Sequence, residues 1–366
     1  AQISNFGGGS FVSFHLNEHK GSWNEEGSYI DTNLVELISD LGEGSCAPCL
    51  TYNNMAIKDG FHCSIEGFSE SINSFYLEEE GRDSLNLVCL HEKDGILIEK
   101  KTTFHDDSFL VNHRMSINSG NISNQASSLG FFWDKGINNT EKNLYDDISY
   151  SGVSFSANKE IETTSFTPSG IEDSMETLSS GTAIVDWAAM RNKYFILAVL
   201  PQNKKDGFSQ VVFNGSARNI AKNSLAPVYT LNILKNMDLD TSFMAFNTYL
   251  GPLDIDYINN LDTTLDRIMN FGWFIIQPFS RGILWLLKSL HSLGLNYGVI
   301  LILFAFLVRI VTGPLTKKSF ESTQNMQAIQ PKLKKIQDKY KSDPQKLNTE
   351  MVKLYRDNGV NPLGEC

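Results

Sequence analysis

The chain carries none of the compact signatures by which hydrolases and nucleotide-dependent enzymes announce themselves. There is no Gly-x-Ser-x-Gly elbow, no His-Glu-x-x-His and no phosphate-binding loop, since Gly42-x-Gly44 lacks a third glycine and reads as a turn. No secretory signal opens the sequence, because Ala1-Gln2-Ile3-Ser4 is polar and leads into Phe6-Gly7-Gly8-Gly9-Ser10. Both ends read as cuts, with Asn361-Pro362-Leu363-Gly364-Glu365-Cys366 approaching a further element. Cysteine is scarce, five in 366 residues, too few for a disulfide-built fold. Asp106-Asp107 and Asp146-Asp147 are candidate acid/base pairs, but neighbouring carboxylates on a strand face opposite ways and loop acids are solvated. No enzymatic activity, metal or cofactor is expected.

Positive charge is outnumbered over most of the chain. The net charge is −11, yet from Gly313 to Asn358 ten Lys or Arg face only five Asp or Glu. The remainder is therefore more acidic than the total shows. Two segments of opposite sign flank one apolar stretch, which points to two compartments. Hydrophobic content of 41% suffices for a folded core.

Residues 1 to about 260 read mainly as strands. Phe109, Val111, Met115 and Ile117 alternate with His113 filling the gap, and Tyr229, Leu231 and Ile233 alternate in the same way. Ile96-Leu97-Ile98 and Phe208–Phe213 are short branched or aromatic runs. Asp59-Gly60, Asp94-Gly95, Asp206-Gly207 and Asn214-Gly215 are turn formers. The pattern predicts one large β-sandwich. Asp31-Thr32-Asn33 before Leu34-Val35 and Leu37-Ile38 predicts a helix start. Asn121-Ile122-Ser123, Asn138-Asn139-Thr140 and Asn214-Gly215-Ser216 match a glycosylation acceptor, which an Asn-rich chain produces by chance.

Cys46-Ala47-Pro48-Cys49, with Cys63 and Cys89, leaves three chemistries open. Four cysteines on one side of the apolar stretch suit structural disulfides, in pairings the spacing does not separate. Free thiols, or a metal or redox site with His62 and His91, are the alternatives. The second close pair of a zinc site and the βαβ setting of a redox dithiol are both lacking.

One apolar run is long enough to cross most of a bilayer. Leu295–Gly313 is nineteen residues, uncharged from Tyr297 to Val308 and then interrupted by Arg309. Arg309 lies near one end, so it either snorkels to headgroups or turns into a polar groove within the bilayer. The basic side is expected in the cytoplasm and the acidic side outside. Phe271–Leu293 is apolar but broken by Gln277, Pro278, Arg281, Lys288 and His291, with Trp273 and Trp285 within it. It suits a helix lying in the interface, with a second span as the alternative. Beyond Pro314, Met326, Ile329, Leu333, Ile336 and Tyr340 are spaced 3, 4, 3 and 4. Ser342-Asp343-Pro344 stops that helix and starts another carrying Leu347, Met351 and Leu354, which together predict an antiparallel hairpin. Lys332, Lys334, Lys335 and Lys339 are its candidate contacts for anionic lipid or ribosomal RNA. No DNA partner is expected.

The run Asn296-Tyr297-Gly298, Val308-Arg309, Pro314-Leu315-Thr316-Lys317, Met326-Gln327, Gln330-Pro331-Lys332, Asp343-Pro344-Gln345-Lys346, Leu354-Tyr355 and Gly359-Val360-Asn361-Pro362-Leu363-Gly364 resembles the YidC family of membrane-protein insertases. It covers that family's second transmembrane helix and first cytoplasmic hairpin. Phe271-Gly272-Trp273-Phe274 and Gln277-Pro278 resemble its interfacial helix, and Tyr249-Leu250-Gly251-Pro252 and Asp186-Trp187 resemble weaker landmarks upstream. The resemblance implies a periplasmic β-supersandwich (1–262), an interfacial helix (263–294), a transmembrane helix (295–314) and a cytoplasmic hairpin (315–366). It further implies a bacterial inner-membrane insertase and chaperone for nascent membrane proteins, working alone or with the Sec translocon, with Arg309 in a hydrophilic groove of a five-helix bundle. Two positions depart from the pattern: Ala305 where many relatives place a polar residue, and Glu365 where a second glycine is usual. A membrane-tethered sugar-binding or sugar-processing β-sandwich is the competing expectation.

Overall fold

The computed structural model describes all residues except 24–27, 39–45, 69–80, 94, 107, 120–127, 172, 204, 222–223, 237–242, 262, 270–274, 342 and 360–366. The Gly42-x-Gly44 turn, the Asn121 acceptor, Asp107, the Phe271–Phe274 motif and the Gly364-Glu365 end therefore lie outside the described residues. The chain divides into two compact units, Ala1–Met269 and Asn270–Cys366.

The first unit is built of strands. In chain order β1 (Gln2–Ser4), β2 (Ser10–Trp23), β3 (Tyr29–Ile38), β4 (Cys49–Tyr52), β5 (Met55–Ala56), β6 (His62–Ile65), β7 (Ser84–Lys93), β8 (Ile96–His105), β9 (Leu110–Ser119) and β10 (Ser128–Trp133) precede helix α1 (Leu144–Tyr150). Then come β11 (Gly152–Ala157), β12 (Glu160–Thr164), β13 (Ser174–Ser179), β14 (Val185–Arg191), β15 (Phe195–Pro201), β16 (Gln210–Ala221), β17 (Ser224–Asn236), β18 (Phe243–Pro252), α2 (Ile255–Asn259) and a 3-10 turn (Thr264–Ile268). Every pairing is antiparallel, in sheets ordered β1-β2-β3, β13-β16-β17-β10-β4-β5 and β12-β11-β14-β15-β18-β9-β8-β7-β6.

The two large sheets pack face to face. Phe131 of β10 meets Phe246 of β18 edge-on at 4.8 Å between ring centres, inside a core that includes Trp133, Leu231, Val111 and Met115. The alternation at Val111, His113, Met115 and Ile117 is the buried face of β9, and His113 completes it by donating or accepting at Thr102 and Thr248. A second core lies on the other face of the nine-stranded sheet, where Trp187, Ile196, Tyr249, Ile258 and Leu265 gather under α2 and the 3-10 turn. Trp187 Nε1 donates to Thr264 Oγ1 at 2.9 Å and fastens that cover. Covered on both faces, β15 is buried at all seven positions, which is why Phe-Ile-Leu-Ala-Val-Leu-Pro shows no polar alternation.

The helix expected at Asp31 is a strand. Val35 and Leu37 are buried on β3, with Glu36 half-buried between them, and the ladder to β2 replaces local capping. Pairing across the chain outweighs the weak preference of three capping residues. Asp146 and Asp147 likewise lie on a helix, α1, and not in a solvated loop. Asp147 is fully buried and accepts from Thr140 N (2.8 Å), Lys193 N (3.0 Å) and Asn139 Nδ2 (3.2 Å). It ties two segments together and is no free base.

The second unit is helical: α3 (Gln277–Ser292), α4 (Tyr297–Lys339) and α5 (Pro344–Asp357). Where the sequence predicts a span ending at Pro314 and then a separate helix, α4 runs unbroken for 43 residues with Pro314 and Pro331 inside it. Pro314 takes one N–H from the ladder. Thr312 and Thr316 donate their hydroxyls to the carbonyls four residues back, Val308 (2.7 Å) and Thr312 (2.9 Å), so the turns around it keep their polar groups engaged.

Candidate functional site

The site begins at the joint between α3 and α4. Gly294, at φ +82°, closes α3 with its N–H on the His291 carbonyl. The His291 ring stacks on Tyr297 at 4.2 Å and its Nδ1 lies 3.0 Å from the Leu295 carbonyl. Asn296 then caps α4, accepting from Val299 N at 3.1 Å.

Among the described residues one helical stretch, Tyr297–Pro314, is long and apolar enough to cross a membrane. Leu301, Ile302, Phe306, Ile310 and Val311 on it are exposed within the unit. Such a contiguous apolar surface is costly in water and calls for lipid or other helices. Arg309 is the only charged residue in that stretch and is itself exposed. At 100° per residue its face carries Ala305, Thr312, Gly313 and Thr316, at offsets −4, +3, +4 and +7. That face is mixed, since Ile302 at −7 and Phe306 at −3 share it with these small and hydroxylated residues.

Past the span, burial follows the predicted seam. Ile329 is buried and Met326, Leu333, Ile336 and Tyr340 are half-buried on α4, while Leu347, Met351 and Leu354 are half-buried on α5. α4 and α5 meet across the short turn at Tyr340–Asp343. Asp343 caps α5 by accepting from Lys346 N at 3.1 Å, with Pro344 first in the helix. Lys332, Lys334, Lys335 and Lys339 are all exposed, and Lys339 Nζ sits 5.3 Å from the Tyr340 ring centre. Lys317 pairs with Glu321 at 3.9 Å, a surface contact of small worth.

The cysteines of the first unit are joined Cys46–Cys49 and Cys63–Cys89. The second bond links directly opposed residues of β6 and β7. Among the described residues no group of three or more His, Cys, Asp or Glu is placed to hold a metal. His91 is engaged instead at the Gly60 carbonyl and beside Asp59. Of the glycosylation matches, Asn138 spends its amide on the Glu36 carbonyl, whereas Asn214 is exposed.

Lys100 escaped notice as one lysine in Glu99-Lys100-Lys101. It is fully buried in β8, its ammonium donating to the carbonyls of Gly9 (3.3 Å) and Pro48 (3.2 Å). Burial pushes it from the ordinary lysine value down to about 7. The available signal was strand alternation, since Ile98, Lys100 and Thr102 share the inward face.

Two family profiles cover the chain almost end to end: "YidC periplasmic domain" over residues 5–286 and "60Kd inner membrane protein" over residues 289–366. The chain is 34% identical over 278 residues to a membrane protein insertase YidC of Chlorobium phaeovibrioides, covering 72% of this chain and 44% of that protein. It is 32% identical over 291 residues to a membrane protein insertase YidC of Chlorobaculum tepidum, covering 78% and 48%. Among solved structures, a GH36 alpha-galactosidase of Geobacillus stearothermophilus aligns over 66% of this chain and 40% of its own at 10% identity. Its TM-score of 0.30 is too low to carry an argument. The chain spans somewhat under half the length of the curated relatives it matches. With its β unit and its helical unit each matched in order, the chain belongs to the YidC family of inner-membrane proteins.

Proposed function

We propose that the protein of which this chain forms part is a membrane-protein insertase, with Arg309 serving as a polar contact for clients within the bilayer. One observation carries the proposal: a lone arginine on an otherwise apolar span, near the end where Thr312, Gly313 and Thr316 add small or hydroxylated residues to its face. A charge at mid-span costs about 2.5–3.5 kcal/mol on insertion scales. Near the end of the span the cost is smaller, and a water-filled groove shared with further helices would remove most of it. An acidic or polar client tail entering that groove would gain transient electrostatic attraction without leaving a polar setting. The work is partition, and no covalent step is required.

The orientation follows from charge. The basic stretch after Pro314 belongs on the cytoplasmic side of the bacterial inner membrane and the acidic β unit in the periplasm. The proposed division is a periplasmic domain over 1–262, an interfacial helix within 263–294, a span over 295–314 and a cytoplasmic hairpin over 315–366. On α3, exposed Phe279, Ile283 and Trp285 suit the headgroup boundary. Lys332, Lys334, Lys335 and Lys339 on the hairpin suit anionic lipid or ribosomal RNA. Nascent membrane proteins are the proposed clients, received alone or from the Sec translocon.

The test is Arg309→Ala in the full-length protein, scored by insertion of a single-span client with an acidic extracytoplasmic tail. A drop of about fivefold or more is expected, with Arg309→Lys retaining most of the activity. Unchanged insertion by the alanine variant would remove Arg309 from the mechanism.

A further inference from the structure

Gly7, Gly8 and Gly9 form a buried loop with φ of +60°, +79° and +83°. Glycine alone adopts such angles routinely. The loop is pressed between the two disulfides. A Cβ at Gly7 would collide with Cys49 Sγ, and one at Gly9 would stand 3.3 Å from Cys89 Sγ. At Gly8 it would stand 3.1 Å from Cδ of Lys100. The Lys100 ammonium donates to the carbonyl of Gly9, in the loop, and to that of Pro48, inside Cys46-Ala47-Pro48-Cys49. The chain just past the loop holds the same motif. Phe11 N donates to the Ala47 carbonyl at 2.7 Å, and Ala47 N donates to Ser10 Oγ at 2.6 Å.

The two bonds differ in their surroundings. Cys63–Cys89 joins directly opposed strand residues 26 apart in sequence, whereas Cys46 and Cys49 are separated by 3. The shorter loop restrains the unfolded chain less, so its bond is the easier to give up. The Cys46–Cys49 bond also has an ammonium at the residue before Cys49, and a neighbouring cation stabilises a thiolate. What favours the thiolate favours the reduced form. Reduction would also unseat the loop. One bond becomes two thiols that need non-bonded separation, and the Gly7 backbone leaves no space against Cys49 Sγ.

We propose that Cys46–Cys49 is a redox-active disulfide that accepts two electrons from a dithiol, and that the Gly7–Gly9 loop is the latch it releases. The first sulfur of the dithiol bonds to one cysteine sulfur as the Cys46–Cys49 bond breaks. Its second sulfur then displaces that cysteine, and the dithiol leaves as a cyclic disulfide. Two protons pass from the dithiol to the cysteines. One moves on to the Lys100 amine where that is neutral, and otherwise to solvent, leaving a thiolate beside a cation. That cation stands in for the βαβ setting the sequence lacks. Cys63–Cys89 remains as the structural bond. The inference rests on the β unit alone and is independent of the insertase proposal.

The test titrates the whole chain in detergent against mixtures of reduced and oxidised dithiothreitol, with free thiols alkylated and assigned by peptide mass spectrometry. Cys46–Cys49 should open at a reduced-to-oxidised ratio at least about tenfold lower than Cys63–Cys89, a gap of about 30 mV for a two-electron couple. Lys100→Met should raise the ratio for Cys46–Cys49 about tenfold and leave that for Cys63–Cys89 in place. In the unaltered chain, hydrogen exchange at the amides from Gly7 to Phe11 should quicken at least about tenfold once Cys46–Cys49 alone is reduced. Opening of both bonds at one ratio, opening of Cys63–Cys89 first, or exchange unchanged by reduction would each overturn the proposal without recourse to a variant. A folded Lys100→Met chain with an unshifted ratio would overturn it as well.

Discussion

Three side chains that look ordinary in the sequence organise the β unit from within. Lys100 is the sharpest case, a buried ammonium bridging the Gly9 and Pro48 carbonyls. Its folded value of about 7 lies below the ordinary 10.5, so between those values the unfolded chain holds more protons than the folded one. Stability should rise as pH increases from about 7 towards 10, because the cost of the buried charge is lifted. Melting curves across that range test it, and Lys100→Met should flatten the rise. Asp147 works the other way, as an acceptor for three donors, two of them buried. Asp147→Ala strands those donors and should cost about 3 kcal/mol or more in chemical denaturation, with Asp147→Asn intermediate. His113 is buried beside Thr102 and Thr248, and burial holds it neutral. The lysine could not be assigned from neighbours in sequence, because its partners lie 91 and 52 residues away, and Asp147 reaches Lys193, 46 residues on, besides its near partners Thr140 and Asn139.

At the scale of elements, legibility followed periodicity. Strands with one wet face, such as β9 and β17, alternate visibly, and the seam on α4 and α5 is plain in the sequence at spacing 3 and 4. β3 failed because Asp31-Thr32-Asn33 imitates a helix cap while its true partner, β2, is distant in character and bulged. Arg309 was legible because a charge within an apolar run needs no partner to be noticed. Close strand packing gives a separate expectation. A methyl at Gly130 of β10 would collide with the Thr51 hydroxyl and the Ile233 carbonyl on the flanking strands. Gly130→Ala should cost at least about 2 kcal/mol in denaturant unfolding, whereas Gly95→Ala, which meets nothing but has φ +74°, should cost only about 1 kcal/mol.

For the molecule as a whole, the division at Met269 predicts that residues 1–269 expressed alone are soluble and melt cooperatively. Aggregation of that fragment, or loss of its sheet signal in circular dichroism, would contradict the division. Reductant should lower its melting temperature. By loop length the Cys63–Cys89 bond, 26 residues apart, contributes about 3.5 kcal/mol, more than the three-residue Cys46–Cys49 loop. Cys63→Ser with Cys89→Ser should therefore reproduce most of the effect of reduction.

The continuity of α4 couples its two ends mechanically. Arg309 and Ile329 sit on one helix with no loop between them, twenty residues and so roughly 30 Å apart along the axis. Their directions around that axis differ by roughly 200°, which points the arginine and the seam to nearly opposite sides. Turning one end of the rod turns the other by the same angle. A partner gripping the basic end would therefore also steer the direction in which Arg309 faces.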